Sequence, residues 1–193
     1  MKLYLARHGE SEGNLRDIFY GHLDLPLTEK GKQDAKIVGE KLSDIEIAHC
    51  YTSPLCRASE TAEIALAGRD VPITVCDDFI EQHMGEYEGI PFEALYAKMG
   101  DEIFEMLRKW PDVILPGGET FFDVKCRVEN SIGEIVKKGE DSLIVAHFGS
   151  LSAIFSCLLA LPNAVTGVFS FDHGCISCIE IDEKWTRLLF FNR

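Results

Sequence analysis

The amino-acid sequence predicts an α/β fold, a three-layer sandwich with a mostly parallel central sheet, and three observations carry that prediction. Strand and helix signals alternate from the first residues, the order that builds a parallel sheet with helices on its faces. Residues 3–6 and 142–147 are short runs suited to buried strands. Ahead of the second run, Phe121, Val124, Val128, Ile132 and Ile135 recur at three- and four-residue steps, which marks a long amphipathic helix packed along one stripe.

Taken in order, strand 3–6 is followed by the polar Arg7-His8-Gly9-Glu10-Ser11-Glu12-Gly13-Asn14, read as a loop displayed at the strand's C-terminal end. After Pro26, Thr28 caps a helix whose Ala35, Val38 and Leu42 fall at helical spacing. Residues 47–52 read as a second strand. Ser53-Pro54 then reads as a helix start, serine as cap and proline in the first helical position, which puts Arg57 in the opening turn. Residues 71–76 form a third strand that Pro72 confines to an edge or a strand start. From 77 to 118 the pattern is irregular, with helical patches at 92–99 and 103–107 and a closing Pro116-Gly117-Gly118. This segment reads as an insertion covering one end of the sheet. After strand 142–147 a helix spans 150–161, stopped by Pro162, and two antiparallel strands surround Glu183-Lys184. Residues 1–193 are expected to form a single domain.

Composition excludes several classes of partner. Thirty-two acidic residues against 19 basic ones give a formal charge of −13, which argues against nucleic acid and anionic membrane. A local basic pocket can still take an anion, because salt screens the distant acidic surface beyond ~8 Å. The seven cysteines are odd in number and irregularly spaced, as expected for reduced thiols in a cytoplasmic protein. Cys175 and Cys178 form the only Cys-x-x-Cys, but positions three apart on a strand face opposite sides, which argues against zinc. The apolar N-terminus meets Arg7 too soon for a signal peptide, and stretch 151–161 is long enough only for a buried helix. No heptad or interface stripe reports the oligomeric state.

The chemistry-bearing residues sit at the predicted strand ends. His8 and His147 each follow an apolar strand, and in an open parallel sheet the strand C-termini meet at one crevice, so both imidazoles are expected in one pocket. Arg7 adjoins the first histidine and Arg57 occupies a helix start, where N–H groups and the helix dipole favour an anion. Together they suit a phosphate clamp, since a guanidinium donates two parallel, charge-assisted hydrogen bonds. Taken singly, a strand-end histidine is more often structural and an arginine near a helix start more often caps or pairs with a carboxylate. The convergence of four such groups is what points to function. The acidic Glu10, Glu12, Asp77, Asp78, Glu86 and Glu88 raise a metal site as an alternative, but no paired-ligand spacing occurs, so neither metal nor other cofactor is expected.

Leu5-Ala6-Arg7-His8-Gly9-Glu10-Ser11 with Asn14 resembles the signature of the histidine phosphatase superfamily, the phosphoglycerate mutase-like proteins. Downstream, Gly21, Asp24, Pro26-Leu27-Thr28 and Gly31 resemble its next segment, and residues 52–62 resemble the helix that carries its second arginine. Phe79-Ile80-Glu81 with Gly85, Tyr87, Glu88 and Gly89 is similar to its acid-bearing segment, Pro116-Gly117-Gly118-Glu119-Thr120 to a later turn, and Val145-Ala146-His147 to its second histidine motif. The order runs over nearly the whole chain. One departure is Phe148, where these proteins usually have a small residue.

The resemblance implies a phosphoglycerate mutase-like fold and a phosphohistidine on His8, with Arg7, Arg57 and His147 offsetting charge on the phosphoryl oxygens. It makes Asn14 and the Phe148 N–H further donors, and Glu81 the proton donor to the leaving group. Tyr20, Gly21 and Met84 are candidate substrate contacts, and Phe19, Tyr20, Met84, Tyr87, Phe92, Trp110 and Phe148 could line an apolar mouth. Mutases carry extra basic residues in and after the acid segment, whereas here Gln82 follows Glu81 and Lys98 is the only lysine or arginine from 83 to 107. That favours hydrolysis of a small phosphomonoester, with phosphoglycerate mutase as the alternative. A non-catalytic phosphate-binding module on the same fold is the alternative from another class.

Overall fold

A computed structural model describes residues 1–162 and 169–193. In chain order its elements are β1 (Lys2–Arg7), α1 (Glu12–Leu15), β2 (Ile18–Phe19), α2 (Glu29–Lys41), β3 (His49–Thr52), α3 (Cys56–Ala65), β4 (Ile73–Val75), β5 (Ile90–Pro91), α4 (Phe92–Met99), α5 (Glu102–Arg108), α6 (Phe121–Lys138), β6 (Ser142–Ala146), α7 (Phe148–Leu158), β7 (Ile176–Ile181) and β8 (Thr186–Phe190). The main sheet has six strands in the order β4-β3-β6-β1-β7-β8. The first four run parallel, while β7 and β8 add on antiparallel beyond β1.

Successive side chains of a strand point to opposite faces, and the two apolar clusters follow that rule. Leu3, Leu5, Ile144 and Ala146 pack with α6 and α7 on one face. Tyr4, Ala6, Leu143 and Val145 pack with α2 and α3 on the other. Every residue of β6 is buried, as a strand covered on both faces must be. These are the three layers read from the sequence. The edge strand β4 is short and exposed, in keeping with Pro72 just before it.

Local chemistry sets the element ends. Thr28 caps α2 by accepting from the Gly31 N–H, and Thr120 forms a capping box with Asp123 at the start of α6, which ends on left-handed Gly139. Several boundaries differ from the sequence reading; α7, for one, runs Phe148–Leu158 where 150–161 is expected. Ser11 and Asn14 form a capping box that turns part of the expected loop into α1. Helix α3 begins at Cys56 with Leu55 as its cap, not at Pro54 with Ser53; the Ser53 hydroxyl still accepts from the Leu55 N–H and also faces His147. A small two-stranded pairing, β2 with β5, joins the segment after β1 to the irregular region 77–118.

Candidate active site

The site is assembled where parallel strands end side by side. The His8 N–H donates to the Ala146 carbonyl at 3.0 Å, extending the β1–β6 ladder by one step, and His147 caps α7 directly after β6. Their rings lie 5.0 Å apart between centroids. His8 Nδ1 is 2.7 Å from the Gly9 carbonyl, which can only accept, so Nδ1 carries the proton and Nε2 keeps the lone pair. His147 Nε2 is 2.7 Å from Ser53 Oγ. Burial, followed by the Arg7 and Arg57 charges, pushes the His8 pKa well below the usual histidine range. Burial also lowers the His147 pKa strongly, with Arg57, His8 and Arg7 adding to it. Both imidazoles are therefore neutral at pH 7.

Both arginines are held by carbonyl groups on one side and left unsatisfied on another. Arg7 Nη1 donates to the Phe171 carbonyl at 3.1 Å; Arg57 donates from Nη1 to Leu23 at 3.0 Å and from Nη2 to Gly21 at 2.7 Å. Among the described residues, four buried side-chain nitrogen or oxygen atoms lack a hydrogen-bond partner, and three of them are Arg7 Nε, Arg57 Nε and His147 Nδ1. Buried polar groups are normally paired, so three orphans around one neutral histidine mark a polar ligand site. The start of α3 is not itself an anion site, since the Cys56 N–H donates to Asp24 at 2.9 Å.

Glu81 reaches the same place from region 77–118. It is buried, and its carboxylate sits on the first turn of α7: Oε2 accepts from the Gly149 N–H at 3.0 Å, Oε1 from Gln82 at 2.7 Å and Ser150 at 3.2 Å. A carboxylate at a helix N-terminus is electrostatically favoured. A side chain at Gly149 would put its Cβ 2.4 Å from Glu81 Oε1, so this approach needs glycine. With Gly149 and Ser150 committed to Glu81, the Phe148 N–H is what the first turn offers an anion. Asn14 commits its Oδ1 to Ser11 and Tyr20, which leaves its amide N–H groups as donors.

Beside these groups lies a cavity of about 270 Å³ lined by Arg7, Phe19, Tyr20, Glu81, Gln82, Met84, Leu107, Trp110, Phe148 and Gly149. Of the aromatic and apolar residues expected at a mouth, Phe19, Tyr20, Met84, Trp110 and Phe148 line it. Tyr87 instead stands edge-on to Phe19, and Phe92 packs near Phe104. Gly21 does not line the cavity: its N–H donates to Glu88 and its carbonyl holds Arg57. Among the described residues, no group of three or more His, Cys, Asp or Glu is arranged to hold a metal, and no helix is long and apolar enough to cross a membrane.

Several residues of the site escape a reading by sequence. Ser53 faces His147, and Thr61 accepts from the Gly9 N–H at 3.0 Å, tying the loop after β1 to α3. His173 donates from Nδ1 to the His8 carbonyl at 2.6 Å, its ring 5.5 Å from that of His8. Arg127 pairs with Glu119 and donates to the Asp78 and Glu81 carbonyls. The only signal for Arg127 is its step of helical spacing off the apolar stripe of α6; nothing local marks the others.

The sequence model described as histidine phosphatase superfamily (branch 1) matches residues 3–193. The chain is 33% identical over 194 residues to an adenosylcobalamin/alpha-ribazole phosphatase of Salmonella typhimurium, covering 100% of this chain and 96% of the relative. It is 36% identical over 182 residues to a 2,3-bisphosphoglycerate-dependent phosphoglycerate mutase of Sinorhizobium fredii, covering 86% of each. Among solved structures, the alpha-ribazole phosphatase from Shigella flexneri superposes with a TM-score of 0.90 at 30% identity, over 100% of this chain and 96% of that one.

Proposed function

The chain belongs to the histidine phosphatase superfamily, and on that premise we propose that it hydrolyses small phosphomonoesters through a phosphohistidine on His8. The observation that carries the reading is the set of unpartnered polar atoms, Arg7 Nε, Arg57 Nε and His147 Nδ1, gathered about a neutral imidazole with a bare Nε2. His8 Nε2 attacks phosphorus in line and the bond to the leaving oxygen breaks. The guanidiniums, His147, Asn14 and the Phe148 N–H take the charge of the non-bridging oxygens. Glu81, whose protonated form the negative charge of the arriving phosphate favours, gives its proton to the departing alkoxide; as carboxylate it then takes one from the water that attacks the phosphohistidine, releasing phosphate and free His8. Glu81 Oε2 accepts one protein N–H, against two at Oε1, so it has a lone pair free for that proton.

Residues 1–193 act as one domain in this reading, with 77–118 as the cap that excludes water. Hydrolysis is favoured over mutase chemistry because the cavity's one cationic lining residue is Arg7, leaving no second cation for the carboxylate of a phosphoglycerate. Its apolar wall fits an aryl or other apolar-bodied phosphate. The mutase reading keeps one observation in its favour, the 36% identity to a mutase.

The test is a panel of phosphomonoesters assayed in chelator, with rapid-quench trapping of acid-labile phosphate on the protein. Expected are release of inorganic phosphate, a preference for aryl over glycerate phosphates, and a trapped phosphoprotein. His8→Ala should lose the phosphoprotein and about 10⁴-fold or more of turnover while keeping its circular dichroism spectrum. Full activity in His8→Ala, or none in chelator, overturns the reading. Interconversion of phosphoglycerates faster than phosphate release selects the mutase.

A further inference from the structure

Glu88 lines no part of the cavity and bonds neither His8 nor His147, yet its half-buried carboxylate gathers the backbone that holds the site together. Oε1 accepts from the N–H groups of Gly21 at 3.0 Å, His22 at 2.8 Å and Met84 at 2.9 Å; Oε2 accepts from Gly21 and Leu23, each at 3.1 Å. Four amides from two distant segments thus converge on one side chain. Burial alone would raise the Glu88 pKa, but these donors outweigh it and the carboxyl is held below the usual range, so it stays ionised at neutral pH.

The gathered loop is the one that orients Arg57. Its Gly21 and Leu23 carbonyls receive Arg57 Nη2 and Nη1, and between them His22 donates from Nε2 to the Glu81 carbonyl at 2.8 Å. The fourth amide belongs to Met84, whose side chain lines the cavity. The backbones here are in contact: a Cβ on Gly21 would lie 1.7 Å from the Gln82 carbonyl oxygen, so the loop cannot shift without moving the residue next to Glu81. A guanidinium must be fixed to tenths of an ångström to favour a transition state, and carbonyls on a three-residue loop hold it only as firmly as the loop is held.

We propose that Glu88 is a positioning residue for phosphoryl transfer, one carboxylate that fixes loop 21–23 against segment 81–84 and so aims Arg57 at the phosphate and sets the backbone of Glu81. This rests on the reading of Arg57 as a phosphate ligand. Glu88→Gln replaces one acceptor oxygen by an amide that faces N–H donors, so at least one donor, Leu23 or the His22 and Met84 pair, loses its partner while shape is kept.

The probe is inorganic phosphate as a competitive inhibitor, measured for the wild type, Arg57→Ala, Glu88→Gln and the double variant. Arg57→Ala should weaken inhibition by about tenfold or more, and Glu88→Gln by about three- to tenfold; the double variant should match Arg57→Ala, because Glu88 acts through that side chain. A merely structural glutamate would lower the melting temperature and give additive losses, and that result overturns the proposal. So does unchanged inhibition in Glu88→Gln. If Arg57→Ala itself leaves inhibition unchanged, the phosphate-site reading fails first, a distinguishable outcome. Should Glu88→Gln not fold, Glu88→Asp, which keeps the charge but shortens the reach, carries the same cycle; if that also fails to fold, the role is structural and the proposal is wrong.

Discussion

The strand-end cradle around His8 and His147 and the proposed cap of residues 77–118 contribute to one site but are held in place by different forces. In the cradle, parallel strands β1 and β6 are buried along most of their length; their ladder takes the His8 N–H, and the His147 N–H donates to Ser150 Oγ in the first turn of α7. In the cap, helices α4 and α5 start without side-chain caps, and Tyr96, Phe104, Leu107 and Ile114 are exposed. The β2–β5 pairing and the buried Leu95, Ile103 and Leu115 anchor it, and toward the site it is tied by side-chain bonds: Glu88 to loop 21–23, Trp110 Nε1 to Gln82, Gln82 to the Glu119 carbonyl, and Arg127 to the Asp78 and Glu81 carbonyls. A ladder is cooperative and insensitive to one substitution, whereas a few polar ties can each be cut. Under the proposed mechanism, the difference assigns binding of the phosphoryl group to the rigid part, and proton delivery and choice of leaving group to the adjustable part.

The largest effect should come from cutting the two apart where they meet. Gly149→Ala puts a methyl 2.4 Å from Glu81 Oε1 and drives the cap's acid off the start of α7. Alkyl phosphates, whose leaving group needs a proton, should lose about 10²–10³-fold in kcat. Single-turnover release of p-nitrophenol from p-nitrophenyl phosphate, which needs no acid, should fall less than about tenfold. Equal losses on both substrates would mean that Glu81 shapes the cradle as well, and the division of labour would be wrong.

The same division explains what the sequence could disclose. The apolar runs of β1 and β6, the stripe on α6 and the Thr28 cap are short-range patterns; the sheet rule that strand ends share a crevice brings His8, His147 and Arg7 together, while Arg57 is read from its place at a helix start. The polar ties of the site are long-range in sequence: Glu88 reaches back 67 residues to Gly21, and His173 lies 165 residues from the carbonyl it holds. No periodicity encodes such pairs. Ser53 shows a subtler limit, for a serine before proline reads as a helix cap, and only the arrival of His147 gives its hydroxyl another partner. Likewise Gly21 looked like a substrate contact, while its carbonyl in fact serves Arg57.

A second, intermediate effect should separate the regions by acid sensitivity. His8 and His147 are buried and neutral in the fold, with pKa values pushed well below the usual one. In the unfolded chain each titrates near ~6.5. Below that pH the unfolded state binds protons that the folded state refuses, so stability falls as pH drops, by about 1.4 kcal/mol per pH unit for each histidine, until the folded pKa is reached. Urea midpoints between pH 7 and 5.5 should show this, and His8→Asn should remove about one histidine's share of the slope. A slope unchanged by His8→Asn would place the acid-sensitive groups outside the cradle.

The smallest effect concerns Phe148, the departure from the small residue usual in the family. The Arg7 guanidinium lies 5.8 Å from the centre of its ring, which also stands edge-on to Phe171, the residue whose carbonyl receives Arg7 Nη1. The ring thus supports the cradle's arginine from the cavity side and also forms part of the apolar wall. A cation over an aromatic face is worth about 0.5–1 kcal/mol at an accessible site. Phe148→Leu keeps the apolar surface but removes the face, so inhibition by inorganic phosphate should weaken by about two- to fivefold, with kcat nearly unchanged because Glu81 still meets the Gly149 and Ser150 amides. Unaltered inhibition, together with a poorer KM for aryl phosphates, would make Phe148 a wall of the cavity alone and leave Arg7 fully fixed by the Phe171 carbonyl.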